Sequence, residues 1–141
     1  MGVTTGRFLE IGAYDGKVFS NTFRLAQLGW RGVCVEPSPT VFPSLIKNYA
    51  GNDKIILVNA AVTPAVPKLV EWYDSSGDAI STTSPAHKDK WEKGQKVKYS
   101  TFWVYGTPIN ALFKQFGYDF DFINIDVEGT NAEMFLSLIH I

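Results

Sequence analysis

A short apolar strand running into a glycine-bracketed turn constrains this chain more than any other stretch: Arg7-Phe8-Leu9-Glu10-Ile11 leads into Gly12-Ala13-Tyr14-Asp15-Gly16. Gly12 can take backbone angles closed to other residues and brings the main chain close to a ligand. Open α/β sheets present nucleotide-like ligands on turns of this kind. Glu10 and Asp15 bracket the turn with carboxylates. A diphosphate-binding turn normally reads G-x-G-x-x-G and leaves a helix N-terminus free for the anion. Here the spacing is G-x-x-x-G with acids beside it, which favours a cationic or zwitterionic guest such as a sulfonium-bearing amino-acid nucleoside.

Strand-like runs recur at 8–11, 32–35, 55–58, 69–73 and 120–125, and helical patterns separate most of them, which predicts an α/β fold. Between the first two runs, Phe19, Phe23 and Ala26, with Leu25 and Leu28, follow helical spacing, Ser20 or Asn21 caps the start, and Gly29 suits the end. A second helix is predicted over 40–49, with Thr40 as its cap and Pro43 in the first turn, where a missing donor is tolerated. Thr107-Pro108 opens a third, whose Ile109, Leu112, Phe113 and Phe116 form an apolar stripe closed by Gly117. Residues 74–100 are polar and show no periodic pattern. They read as an irregular insertion in a single domain spanning 1–141, and a loop of that length suits a lid or an acceptor-binding element.

With 45% hydrophobic residues the chain can bury a core, and a formal net charge of -1 supplies no basic field to recruit nucleic acid or anionic lipid. No apolar run approaches the ~20 residues that span a bilayer. The N-terminus lacks the layout of a signal peptide, so the expected location is cytoplasmic. The one cysteine, Cys34, lies in an apolar run and reads as a buried hydrophobe; no intrachain disulfide can form and no metal site is expected.

Three strands are expected to deliver carboxylates to one rim of the sheet: Glu10 with Asp15, Glu36, and Asp126 with Glu128. Glu36, followed by Pro37 at the end of the second strand, can accept both hydroxyls of a ribose, and its plain alternative is a solvated acid at a strand end. Asn59-Ala60 ends the third strand with an amide and a small residue that an adenine edge would accept, or forms an ordinary turn. His87 titrates near neutrality and is a candidate base, against a solvated bystander. The run 88–98 carries five lysines against two acids around Trp91, either a solvated face or a dock for an anionic or carbohydrate acceptor.

The segments Phe8 to Gly16, Val35-Glu36-Pro37, Val58-Asn59-Ala60-Ala61-Val62 and Phe122 to Gly129 follow the order and approximate spacing of the FkbM-type methyltransferases, which the chain resembles over nearly its whole length. Ile125-Asp126-Val127-Glu128-Gly129 is the most specific part of the likeness. The resemblance implies a Rossmann-like class I methyltransferase sheet with flanking helices, S-adenosylmethionine as cofactor, and methyl transfer to a hydroxyl on a sugar or other small-molecule acceptor. It matches Glu10, Gly12, Ala13, Asp15 and Gly16 to the first cofactor motif, Glu36 with Pro37 to the ribose side, and Asn59 with Ala60 to the adenine side. Asp126 and Glu128 match the acids after the fourth strand, as cofactor contact, base, or both. Asn124 stands where that family often has lysine, Asn131 where it often has an acid, and Asn110 where aspartate is common.

The same likeness predicts a sheet of order 3-2-1-4, truncated after its fourth core strand. Two other functions fit parts of the pattern. One is a Rossmann-type nucleotide-dependent oxidoreductase, disfavoured by the glycine spacing and the acids. The other is a non-catalytic module that keeps only a nucleoside pocket.

Overall fold

Parallel strands covered on both faces need apolar side chains pointing both ways, and Phe8-Leu9 and Val33-Cys34-Val35 supply them. The computed structural model describes residues 4–64, 67–76, 80–95 and 97–127. In chain order the elements are β1 (Arg7–Ile11), α1 (Phe23–Gln27), β2 (Arg31–Val35), α2 (Phe42–Asn48), β3 (Ile55–Val58), β4 (Ala61–Thr63), β5 (Lys68–Asp74), α3 (Pro85–Gln95), β6 (Ser100–Pro108), α4 (Ile109–Phe116) and β7 (Phe122–Ile125). Four of the strands form a parallel sheet of order β3-β2-β1-β7, the expected 3-2-1-4 arrangement of a Rossmann-like α/β fold. A second sheet, of order β4-β6-β5, pairs β4 with β6 in parallel and β5 with β6 antiparallel.

Alternation along the strands divides the interior. Leu9, Ile11, Val33 and Val35 pack with Ile109, Leu112 and Phe113 of α4 on one face of the parallel sheet. Phe8 and Cys34 face the other way, into a cluster with Ala26 of α1, Leu45 of α2, Trp30 and Tyr49. Burial pushes the Cys34 thiol far above its usual range, consistent with a packed hydrophobe.

Helix boundaries depart from the sequence expectation in ways that local chemistry explains. The N-cap of α1 is Thr22, without a side-chain cap bond, and not the expected Ser20 or Asn21; Ser20 Oγ accepts from the Thr22 and Phe23 amides at 3.2 and 3.0 Å from ahead of the cap, and Phe19 lies outside the helix, 86% exposed, with φ +56°. Helix α2 starts later than 40, with Val41 at its N-cap and no side-chain cap bond: the Thr40 hydroxyl donates to Asp74 instead, and Ser38 Oγ accepts from the Val41 amide ahead of the helix. Helix α4 begins at Ile109, since a residue before proline is held in extended geometry and Thr107 therefore stays in β6.

The segment 74–100 is not wholly irregular: it holds α3, which opens on Pro85 and buries none of its residues. A helix with no buried residue leaves no apolar period to read. No helix among the described residues is long and apolar enough to cross a membrane.

Candidate functional site

The turn after β1 is held by its own amides. Gly12 and Ala13 N–H both donate to the Val35 carbonyl, at 2.9 and 3.0 Å, and Tyr14 N–H donates to Glu36 Oε2 at 2.8 Å. Gly12 has φ +83°, and a Cβ there would lie 1.8 Å from the Asp126 carbonyl oxygen. This glycine is required by the close approach of the chain leaving β7, which the Asp126 amide fastens to the Ile11 carbonyl at 2.8 Å.

Glu36, 5% exposed at the end of β2, receives the Tyr14 amide on one oxygen and the Ser38 amide on the other at 2.7 Å. Burial raises its pKa to about 7, and the two amides oppose that rise. A carboxylate has about four acceptor positions, so two remain for a ligand.

Glu10 is buried on the α1 side. It accepts from Thr22 Oγ1 at 2.5 Å and from Ser20 Oγ at 3.3 Å, tying the start of α1 to β1. Its pKa is raised by burial, against the hydrogen bonds from Thr22, Ser20, Asn21 and Asn124.

These groups line one cleft at the carboxyl ends of the parallel strands. Glu10, Gly12, Ala13, Glu36, Pro37, Ala60 and Asp126 all contribute to its wall. Val41, Ala61, Val62 and Trp72 give it an apolar side next to Glu36. No lysine, arginine or histidine stands among the described residues that line it.

Other candidates support the wall from behind. Asp15 Oδ1 accepts from the Lys17 and Val18 amides at 2.9 and 2.7 Å and shapes the turn without lining the cleft. Gly16, at φ +74°, lies where a Cβ would meet Leu45 and Tyr49 at 2.5 Å. Asn59 Nδ2 donates to the Glu36 and Pro37 carbonyls at 2.8 and 3.3 Å, and so holds the backbone that carries the ribose-side acid. His87 and Trp91 sit together on α3, ring centroids 6.1 Å apart, away from the cleft. Glu128 lies outside the described residues.

The sequence points to 74–100 as a candidate lid or acceptor-binding element but singles out none of the cleft residues in or beside it. Trp72, Ser81 and Thr83 line the cleft, and Asp74 stands just behind it. At position 124 the sequence shows only a departure from the family's lysine. Asn124 lines the cleft and accepts from Asn21 Nδ2 at 3.2 Å.

The residues fit a nucleoside carrying a positive charge better than a dinucleotide. The Gly12, Ala13, Tyr14 and Gly16 amides are already bonded within the protein, and the next helix does not start until Phe23, so neither a nest of these amides nor a helix terminus meets a phosphate at this turn. A family model described as Methyltransferase FkbM domain matches residues 10–139. No curated protein and no solved structure matches the chain.

Proposed function

The chain belongs to the FkbM methyltransferase family, and from that premise we propose that it moves a methyl group from S-adenosylmethionine to a hydroxyl of a sugar or other small-molecule acceptor. The observation that carries this reading is the bonding of the Gly12, Ala13 and Tyr14 amides to Val35 and Glu36, which removes the phosphate cradle an oxidoreductase would need.

When bound, the cofactor supplies an electrophilic methyl on a sulfonium. Glu36 accepts from the ribose hydroxyls, while Trp72, Val41 and Ala60 to Val62 enclose the base. The remaining demands are alignment of the acceptor oxygen with the methyl and removal of its proton. Asp126 is exposed and lines the cleft, which supports assigning it to the acceptor proton or to the ammonium of the methionine moiety.

Calorimetric titration with S-adenosylhomocysteine and with NADH tests the cofactor class: the first binds and the second does not. Binding of NADH alone overturns the reading. Transfer of labelled methyl to a panel of hydroxylated acceptors then tests the reaction, and homocysteine-nucleoside binding without transfer to any of them marks a binding module instead. Asp126→Asn separates its two roles: a turnover loss of about 100-fold with unchanged S-adenosylhomocysteine affinity assigns the base, and the opposite pattern assigns the ammonium contact.

A further inference from the structure

We propose that Asp74 is a positioning residue that locks the segment following β5 to the loop following β2, so that Trp72 and Glu36 grip the nucleoside half of the ligand as one unit. The proposal rests on the nucleoside reading of the cleft.

Asp74 is fully buried. The donors to its carboxylate come from two separate parts of the chain. Ser38 Oγ donates to Oδ2, and Thr40 Oγ1 reaches both oxygens at 3.0 and 3.1 Å, from the loop between β2 and α2. Trp72 Nε1 donates at 3.2 Å and the Ser76 amide at 2.9 Å, from β5 and the residues after it. Ser38 continues the chain inward, because its own amide donates to Glu36 Oε1. One carboxylate thus fixes the tilt of the Trp72 ring on one side and, through Ser38, the Glu36 carboxylate on the other.

Among the described residues no cation is paired with Asp74; the ion pair they contain joins Arg7 to Asp119. A buried polar group whose hydrogen bonds are satisfied rigidifies the groups that bond it. Its value lies in fixing geometry, and the two fixed side chains both face the cleft.

Affinities for S-adenosylhomocysteine and for adenosine, measured by calorimetry, test this on wild type, Asp74→Asn, Glu36→Gln and the double variant. Asp74→Asn is expected to weaken both ligands by about tenfold, the same factor for each, because the effect lies in the nucleoside half. The double variant is expected to fall short of the product of the single losses by at least about threefold, since part of the Asp74 effect passes through Glu36. The tryptophan fluorescence change on ligand binding, lost in Trp72→Phe, is expected to shrink in Asp74→Asn. If Asp74→Asn does not fold, Thr40→Val removes one donor while keeping shape, and a loss of about threefold supports the proposal. Affinity within twofold of wild type in the folded variant, or strictly additive losses, overturns it while leaving the nucleoside reading intact. Wild type that binds neither ligand overturns both.

Discussion

Glu36 binds its proton more tightly in the folded chain than a free glutamate does, because the cost of burying its charge exceeds the help of two backbone amides. An acid whose folded pKa is about 7 against a model value of 4.5 contributes stability that is complete below 4.5 and disappears as pH rises through 7. Unfolding free energy from urea titrations should therefore fall between pH 5 and pH 8, by roughly 2–3 kcal/mol from this residue. Glu36→Gln should flatten the slope, leaving the smaller part that Glu10 contributes in the same direction. Ribose hydroxyls donate best to the ionised form, so S-adenosylhomocysteine should bind more tightly at pH 8 than at pH 6 in wild type and equally in Glu36→Gln. At Gly12 the conflict is steric. A methyl group would collide with the Asp126 carbonyl in a backbone conformation that alanine also resists, so Gly12→Ala should cost about 2–4 kcal/mol and lower Tm in calorimetry. The sequence marks this glycine as special but attributes it to ligand approach, because the carbonyl it accommodates arrives from a strand more than a hundred positions away.

Helix α4 does one thing, which is to cover the face of the parallel sheet opposite α1 and α2, and it takes no part in the cleft. Leu112→Ala should therefore destabilise by about 3 kcal/mol in urea unfolding and leave S-adenosylhomocysteine affinity within twofold of wild type. This helix was legible because Ile109, Leu112, Phe113 and Phe116 recur at its period, and β1, β2 and β3 because they are apolar runs ended by turns. Strands β4 and β6 were not. β4 is three residues long, and β6 carries Trp103 and Tyr105 on its exposed face, which obscures alternation. The site divides differently, because the run 69–73 was legible as a strand while its place beside the cleft was not. Glu10, Gly12, Ala13, Glu36, Pro37, Ala60 and Asp126 stand at the ends of legible strands and converge on the cleft. Trp72, Ser81 and Thr83 come from or beside the second sheet, whose place against the first depends on pairing that no local pattern encodes.

The cleft joins two sheets that have separate hydrogen-bond ladders; Val62 of β4 packs into the apolar cluster around Leu9 and Val33, while Ala61, Trp72 and Val104 form a cluster of their own. The polar link between the sheets beside the cleft runs through Asp74 to Ser38 and Thr40, so a ligand that touches Glu36 and Trp72 together adds another bridge between them. S-Adenosylhomocysteine at 100 times its Kd should stabilise the whole molecule by about 2.7 kcal/mol and raise Tm by roughly 10 °C. Hydrogen exchange then distinguishes a shared clamp from binding to one sheet alone. Amides of β1 and β2 should slow on either account, because their carboxyl ends form the floor of the cleft. Among the described residues, amides of β5 and β6 bond within their own sheet or, at Tyr73, to Thr82 rather than to the parallel sheet, and should slow by a comparable factor only if the ligand holds both sheets at once. Protection confined to β1 and β2 would place the nucleoside on the parallel sheet alone, whereas protection that reaches Trp72 and Val104 and falls away in Asp74→Asn makes cofactor binding and closure of the second sheet a single event.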